Sequence, residues 1–259
     1  SMTLIHQLPQ KVQKELHSKS LLKIISGLNN FDIDSVQMIA KAASIGEADV
    51  IDIACKPLLV EKVLDITSLP ICVSAVEPIL FIDSVKAGAT FIEIGNFDSF
   101  YEKGINFSAN QVLSLTKETK DLLPNIPLSV TVPHTLSLDK QVDLALQLIE
   151  EGADIIQTEG GKSSRPYSSG IQGLFEKSVP TLAATFAIKQ EFIKNAIDNP
   201  IMSASGLSQI TCPLAISAGA SAVGVGSVIN KLDNMVGMIA GKRGLKESLD
   251  NSLNTQKIS

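Results

Sequence analysis

The stretch GADIIQTEG, residues 152–160, opens on a glycine, passes through a small residue and enters an apolar run. GEADVIDIA (46–54), GATFIEIG (88–95) and GASAVGVGS (219–227) are built the same way. Glycine suits the position just past a helix, where the left-handed conformation costs it no Cβ clash. Each unit therefore reads as a helix end followed by a strand. LPICVSAV (69–76), IPLSVTVPH (126–134) and NPIMSASG (199–206) enter the same kind of run through proline, and LLKIISGLNN (21–30) supplies one more at the front. These eight runs are near-continuously apolar, as strands covered on both faces must be. Between them lie helix-period segments such as DSVQMIAKAASIG (34–46) and QVDLALQLIEEG (141–152).

Strict strand–helix alternation implies a parallel sheet, and eight units without a linker imply closure into a single (β/α)8 TIM barrel. An open doubly wound sheet is the competing topology. The whole chain, 1–259, reads as one domain: an N-terminal helix or extension over 1–20, the barrel over 21–249 and a flexible tail over 250–259. Ser1 and Met2 read as a tag-removal scar. Two segments exceed ordinary loop length, NFDSFYEKGINFSANQVL (96–113) after strand 4 and GGKSSRPYSSGIQGLFEKSVPTLAATFA (160–187) after strand 6. The second carries Arg165 and Tyr167 and reads either as a mobile lid or as surface decoration.

With 44% apolar and 19% charged residues the chain can bury a large core. The net charge of −5 and the absence of basic clusters point away from nucleic acid. No apolar run reaches the ~18 residues of a membrane span, and the N-terminus has no signal pattern. Cys55, Cys72 and Cys212 are odd in number and lack metal spacing, so reduced thiols and no metal site are expected. The chain reads as soluble and cytoplasmic, or stromal in a plastid. Pairing through outer helices into a homodimer is left open.

Side chains alternate along a strand, and an ionised group between two apolar ones must face the barrel axis to escape the helix layer. By that rule Lys23, Asp52, Glu93, Thr131, Gln157 and Glu159 point inward, with Cys72, Ser74, Ser203 and Ser205 on the same parity. Lys23 lies early in its strand, where it is either a structural ion-pair partner of Asp52 or a catalytic lysine. Glu159, and Glu93 with Asn96, sit at strand ends better placed for chemistry. His134 follows Pro133 onto the rim and is the one histidine suited to move a proton there. The turns after strands 7 and 8, SASGLS (203–208) and GVGSVI (224–229), resemble the phosphate loops of such barrels. Gly206, Leu207, Gly226 and Ser227 would offer backbone N–H groups, and Ser205 or Ser227 a hydroxyl, to a small phosphorylated ligand.

Several stretches carry a family resemblance: KIISGLNNFDIDSV (23–36), ICVSAVEP (71–78), EIGNFDSFYEKGINFSA (93–109), IIQTEGG (155–161), PTLAATFAI (180–188) and ASGLSQITCPLAISAGASAVGVGSVINKL (204–232). From about Leu21 to about Leu249 the chain resembles the cyanobacterial and plastid family called hypothetical chloroplast open reading frame 23. The resemblance implies an aldolase-type, phosphate-binding TIM barrel and supplies no catalytic residues. KIISGLNN is also similar to the first strand of phosphoribosylanthranilate isomerases, with Ile25 or Ser26 where that family has a catalytic cysteine. GEADVIDIACKP is similar to a segment of the methanofuran-pathway synthases, with Ala54 or Cys55 in place of their strand-2 lysine. Three functions fit these features: a lyase, aldolase or isomerase on a phosphorylated metabolite; an oxidoreductase holding FMN by its phosphate; or a non-catalytic sensor or scaffold.

Overall fold

The computed structural model describes residues 3–160, 168–226 and 235–258. Eight parallel strands close into one barrel in sequence order: β1 Leu21–Ile25, β2 Val50–Ala54, β3 Ile71–Ala75, β4 Phe91–Ile94, β5 Leu128–Thr131, β6 Ile155–Thr158, β7 Ile201–Ala204 and β8 Ala222–Val225. β8 pairs with β1 through Leu21↔Ala222 and Lys23↔Gly224, so the sheet has no open edge and the doubly wound alternative falls away. The helices are α1 Gln10–His17, α2 Ile33–Ile45, α3 Pro57–Leu64, α4 Phe81–Ala87, α5 Asp98–Tyr101, α6 Ala109–Leu122, α7 Leu138–Glu150, α8 Gly170–Lys194, α9 Cys212–Ala218 and α10 Met235–Ile258.

Local chemistry explains the element ends. Asp32 accepts the Ser35 N–H at 2.8 Å to start α2, and Ser108 and Gln111 exchange side-chain and backbone bonds at the start of α6. Gly88, Gly152 and Gly219 take φ of +128°, +100° and +120° past their helices, as the repeat predicts. Gly46 does not: its φ is −79°, and Glu47 adopts the left-handed turn instead. Gly46 answers to packing, because a Cβ there would lie 2.5 Å from Lys242 Cβ on α10.

Both long segments prove shorter as loops than the sequence suggests. The first contains the single turn α5 and the opening of α6; within the second, everything from Gly170 onward is α8, with Pro180 accommodated inside it. Beyond residue 250, where a tail is expected, α10 continues to Ile258, docked by buried Leu245 and Leu249.

Two layers of side chains fill the barrel. At the floor Leu21, Val50, Cys72, Phe91, Ile155, Met202 and Ala222 pack together, and Leu8, Val12 and Leu16 of the N-terminal segment close them off below. Outside the barrel Ile24, Ile51, Ile53, Val73, Ile92, Val130, Ile156 and Val223 meet the helices. Ser203 departs from its expected inward parity. Met202 joins the floor layer, so Ser203 faces α8, where its hydroxyl bonds Thr185 at 3.0 Å and Thr181 at 3.3 Å. A hydroxyl can satisfy itself on a helix bearing threonines, so it did not need the axis.

Candidate active site

Above the floor the interior turns polar. Lys23 Nζ donates to Gln157 Oε1 at 2.6 Å and to Glu93 Oε2 at 3.3 Å, and lies 3.4 Å from Asp52 Oδ2. Ser74 donates to Asp52 at 2.6 Å, Ser129 donates to Glu93, and Gln157 Nε2 donates to Thr131 at 3.3 Å. All seven side chains are buried. Burial works to lower the Lys23 pKa, but the charges of Glu93 and Asp52 outweigh it and hold the ammonium above the usual lysine range. Burial, with Glu93 beside it and against the pull of Lys23, pushes Asp52 up to about 6. Lys23 is thus an ammonium with its partners in place, and the pairing extends beyond Asp52 to Glu93 and Gln157. Glu93 belongs to this deep cluster, apart from Glu159, with which the sequence grouped it.

Glu159 follows β6 at the mouth and is only 2% exposed. Its Oε1 accepts the Tyr101 hydroxyl, the His134 backbone N–H at 3.0 Å and His134 Nδ1 at 3.1 Å. Its Oε2 has no hydrogen-bond partner among the described residues. With Nδ1–H directed at the carboxylate, the imidazole keeps Nε2 as its lone-pair nitrogen. The Tyr101 ring meets His134 edge-on at 4.7 Å. Burial and the Glu159 charge raise the phenol's pKa, so Tyr101 stays a donor. Tyr101 lies on no strand, so the parity of apolar runs does not single it out. Its only signal is that a tyrosine, one of two in the chain, stands in the long segment leaving the C-terminal end of β4. Asn96 accepts the Asp98 N–H at 3.2 Å and so shapes this loop.

The two glycine turns adjoin. Ala204 pairs with Gly224, which carries β7 and β8 side by side into the turns at Gly206 and Gly226. Ser205 and Gly206 both take left-handed φ, +70° and +76°, and Leu207 tucks into the core. A Cβ at Gly206 would lie 2.5 Å from the Lys177 carbonyl, so only glycine lets this turn settle onto α8. Gly226 lies against the end of β1, where an added Cβ would stand 3.1 Å from the Ile25 carbonyl. Ser227, Arg165 and Tyr167 lie outside the described residues. No described helix is long and apolar enough to cross a membrane.

Comparison with known proteins fits this architecture. The model of the family described as "Protein of unknown function (DUF561)" matches residues 8–255. "Uncharacterized protein ycf23" of Cyanophora paradoxa is 46% identical over 230 residues, covering 88% of this chain and 92% of its own. The protein of the same name from Porphyra purpurea is 35% identical, with 96% of each chain covered. Among solved structures, (S)-3-O-geranylgeranylglyceryl phosphate synthase from Thermoplasma acidophilum, in complex with sn-glycerol-1-phosphate, superposes with a TM-score of 0.63 at 15% identity. That match covers 97% of this chain and 100% of the other. Thiamine phosphate pyrophosphorylase from Pyrococcus furiosus gives 0.60, also at 15% identity, over 92% and 99%. At such identity these likenesses show the barrel fold alone. A family model spanning nearly the whole chain, joined to relatives this similar over almost all their length, makes the protein a member of the DUF561 family, together with the ycf23 proteins.

Proposed function

We propose that this protein is a lyase, aldolase or isomerase that moves a proton on a small phosphorylated metabolite at the C-terminal mouth of the barrel. The observation that carries this reading is the one-sided filling of Glu159: among the described residues three donors reach Oε1 and none reaches the buried Oε2. A bare carboxylate oxygen away from water is costly unless a ligand donates to it. His134 Nε2 takes the substrate proton and returns it, while Glu159 steadies the imidazolium through Nδ1. Tyr101 and His134 both donate to Oε1, so Glu159 meets substrate through Oε2.

The phosphate docks on the backbone N–H groups of Gly206, Leu207 and Gly226 and on the Ser205 hydroxyl, where glycine permits close approach. Two barrels of this shape are named for phosphorylated compounds, which supports that ligand class. Lys23 is given no imine step. An amine nucleophile must shed its proton, and Asp52 and Glu93 oppose that. Lys23, Asp52 and Glu93 instead form a fixed charged bed beneath the site. Work in the plastid stroma, or in the cytoplasm of a cell without plastids, goes with this reading and is supported by the ycf23 relatives.

The test is hydrogen exchange. Phosphorylated aldehydes, ketones and keto acids are incubated with protein in deuterium oxide, and loss of the proton next to the carbonyl is followed by NMR. At least one compound exchanges, and His134→Ala and Glu159→Gln each slow it about 10²- to 10⁴-fold. Ser205→Asp, which sets a negative charge beside the phosphate, raises KM with little change in kcat. Exchange untouched in both acid–base variants defeats the proton-transfer assignment, and an unchanged KM in Ser205→Asp defeats the phosphate site.

A further inference from the structure

Helix α8 carries apolar side chains outward as well as inward. A surface helix ordinarily turns its apolar stripe inward and its polar face to water. Here the inward face holds the core residues Ile188 and Phe192 together with Thr181 and Thr185, whose hydroxyls bond to Ser203 and Thr158, and Ser178, whose hydroxyl donates to the Phe175 carbonyl. The outward face carries Ile171, Phe175, Val179, Phe186 and Ile193, with half-buried Leu182 between. Ile171 and Ile193 are 60% exposed, Val179 56% and Phe186 55%. Residues spaced by three, four or seven share one side of a helix, so these six form a single stripe. At 1.5 Å per residue it runs for about 33 Å.

We infer that two copies of this chain associate through their α8 helices, antiparallel about a two-fold axis passing by Leu182. The stripe is self-complementary under that operation. Ile171 and Ile193 are equidistant from Leu182, so each isoleucine meets the other type across the axis. Phe186 of the partner subunit falls between Phe175 and Val179, which interleaves the large side chains. A two-fold contact demands this self-matching of one patch, whereas an unrelated partner would not. The area also suits a dimer. Five exposed side chains of this size offer on the order of 500 Å² per copy, with two aromatic rings among them. Exposed Ile210 and Leu214, before and within the adjoining α9, extend the apolar surface towards the roughly 800 Å² per partner of a stable interface. Because the Gly206 turn rests on the Lys177 carbonyl of the same helix, association would brace that turn from behind.

Sedimentation of the full chain tests this without reference to catalysis. The wild type is expected to sediment as a dimer at about 10 µM, while Phe175→Glu/Phe186→Glu weakens association by ~100-fold or more, with helical signal and melting temperature retained. Leu182→Cys should form an intermolecular disulfide under mild oxidation, since that residue approaches its own copy at the axis. A wild type that stays monomeric up to about 100 µM overturns the inference, as does a double variant that remains dimeric. A stripe that takes up a different protein while the wild type stays monomeric overturns it equally.

Discussion

At the scale of single residues, Lys23 decides most. It was legible because an ammonium between Leu22 and Ile24 has nowhere tolerable to point except the axis, and the same rule located Asp52, Glu93 and Gln157. Its removal should therefore hurt stability before it touches chemistry. Lys23→Met leaves Asp52 and Glu93 facing one another in the dark, and breaking such a buried pair costs about 3–5 kcal/mol. Urea unfolding should show that loss, and adding Glu93→Gln to Lys23→Met should recover part of it. If Lys23→Met is as stable as the wild type, the cluster is not the ion-paired bed described above. Ser203 and Tyr101 escaped the reading for opposite reasons. A hydroxyl is cheap enough to satisfy on a helix that parity does not bind it to the axis, and Tyr101 rides a loop whose course no hydrophobic period sets. The mouth site, Glu159 with His134 and Tyr101, is assembled across three loops, so only its members' strand-end positions could be read.

At the scale of elements, the repeats say more than where strands begin. The aspartates of GEAD and GAD, Asp49 and Asp154, each accept a backbone N–H from the preceding strand, Leu22 at 2.8 Å and Leu128 at 2.8 Å. The recurring Asp is thus a register pin between neighbouring strands, repeated because the joint is repeated. Helix α10 supplies the contrast, because its docking follows no repeat. Lys246 Nζ reaches Asp49 at 2.6 Å and the Ser20 carbonyl at 2.9 Å, whereas buried Lys242 bonds the Ile39 carbonyl at 2.9 Å. Burial lowers the Lys242 pKa from 10.5 to about 7. Between those values the unfolded chain binds more protons than the folded one, so this lysine makes stability rise with pH from about 7 towards 10.5 and penalises the fold in full below 7. Lys242→Met should then stabilise the protein at pH 7 by a few kcal/mol, with the gain shrinking as pH approaches 10. Chemical denaturation of both proteins across that range checks it, and a difference independent of pH would refute it.

At the scale of the whole molecule, the two ends of the barrel carry separate burdens. The floor is an apolar plug, and the mouth holds the Glu159 carboxylate, the rim histidine and the glycine turns. Glu15 on α1 and Asp49 at the foot of β2 share Lys246, tying the N-terminal helix, a strand and the C-terminal helix together at the closed end. Leu16 sits in that plug almost without exposure, against a layer drawn from seven of the eight strands. Leu16→Ala should cost about 2–5 kcal/mol, the range for a core leucine whose cavity cannot collapse, and an intact closed ring of strands gives it little room to do so. Because the loss falls on the unfolding equilibrium and the mouth lies at the opposite strand ends, affinity for a phosphate ester at 10 °C should match the wild type. Urea unfolding and calorimetric titration with glycerol phosphate, run on one preparation, separate the two. Loss of ester binding with stability intact would mean that the floor and the mouth are coupled, and that the barrel is not the rigid partition its packing implies.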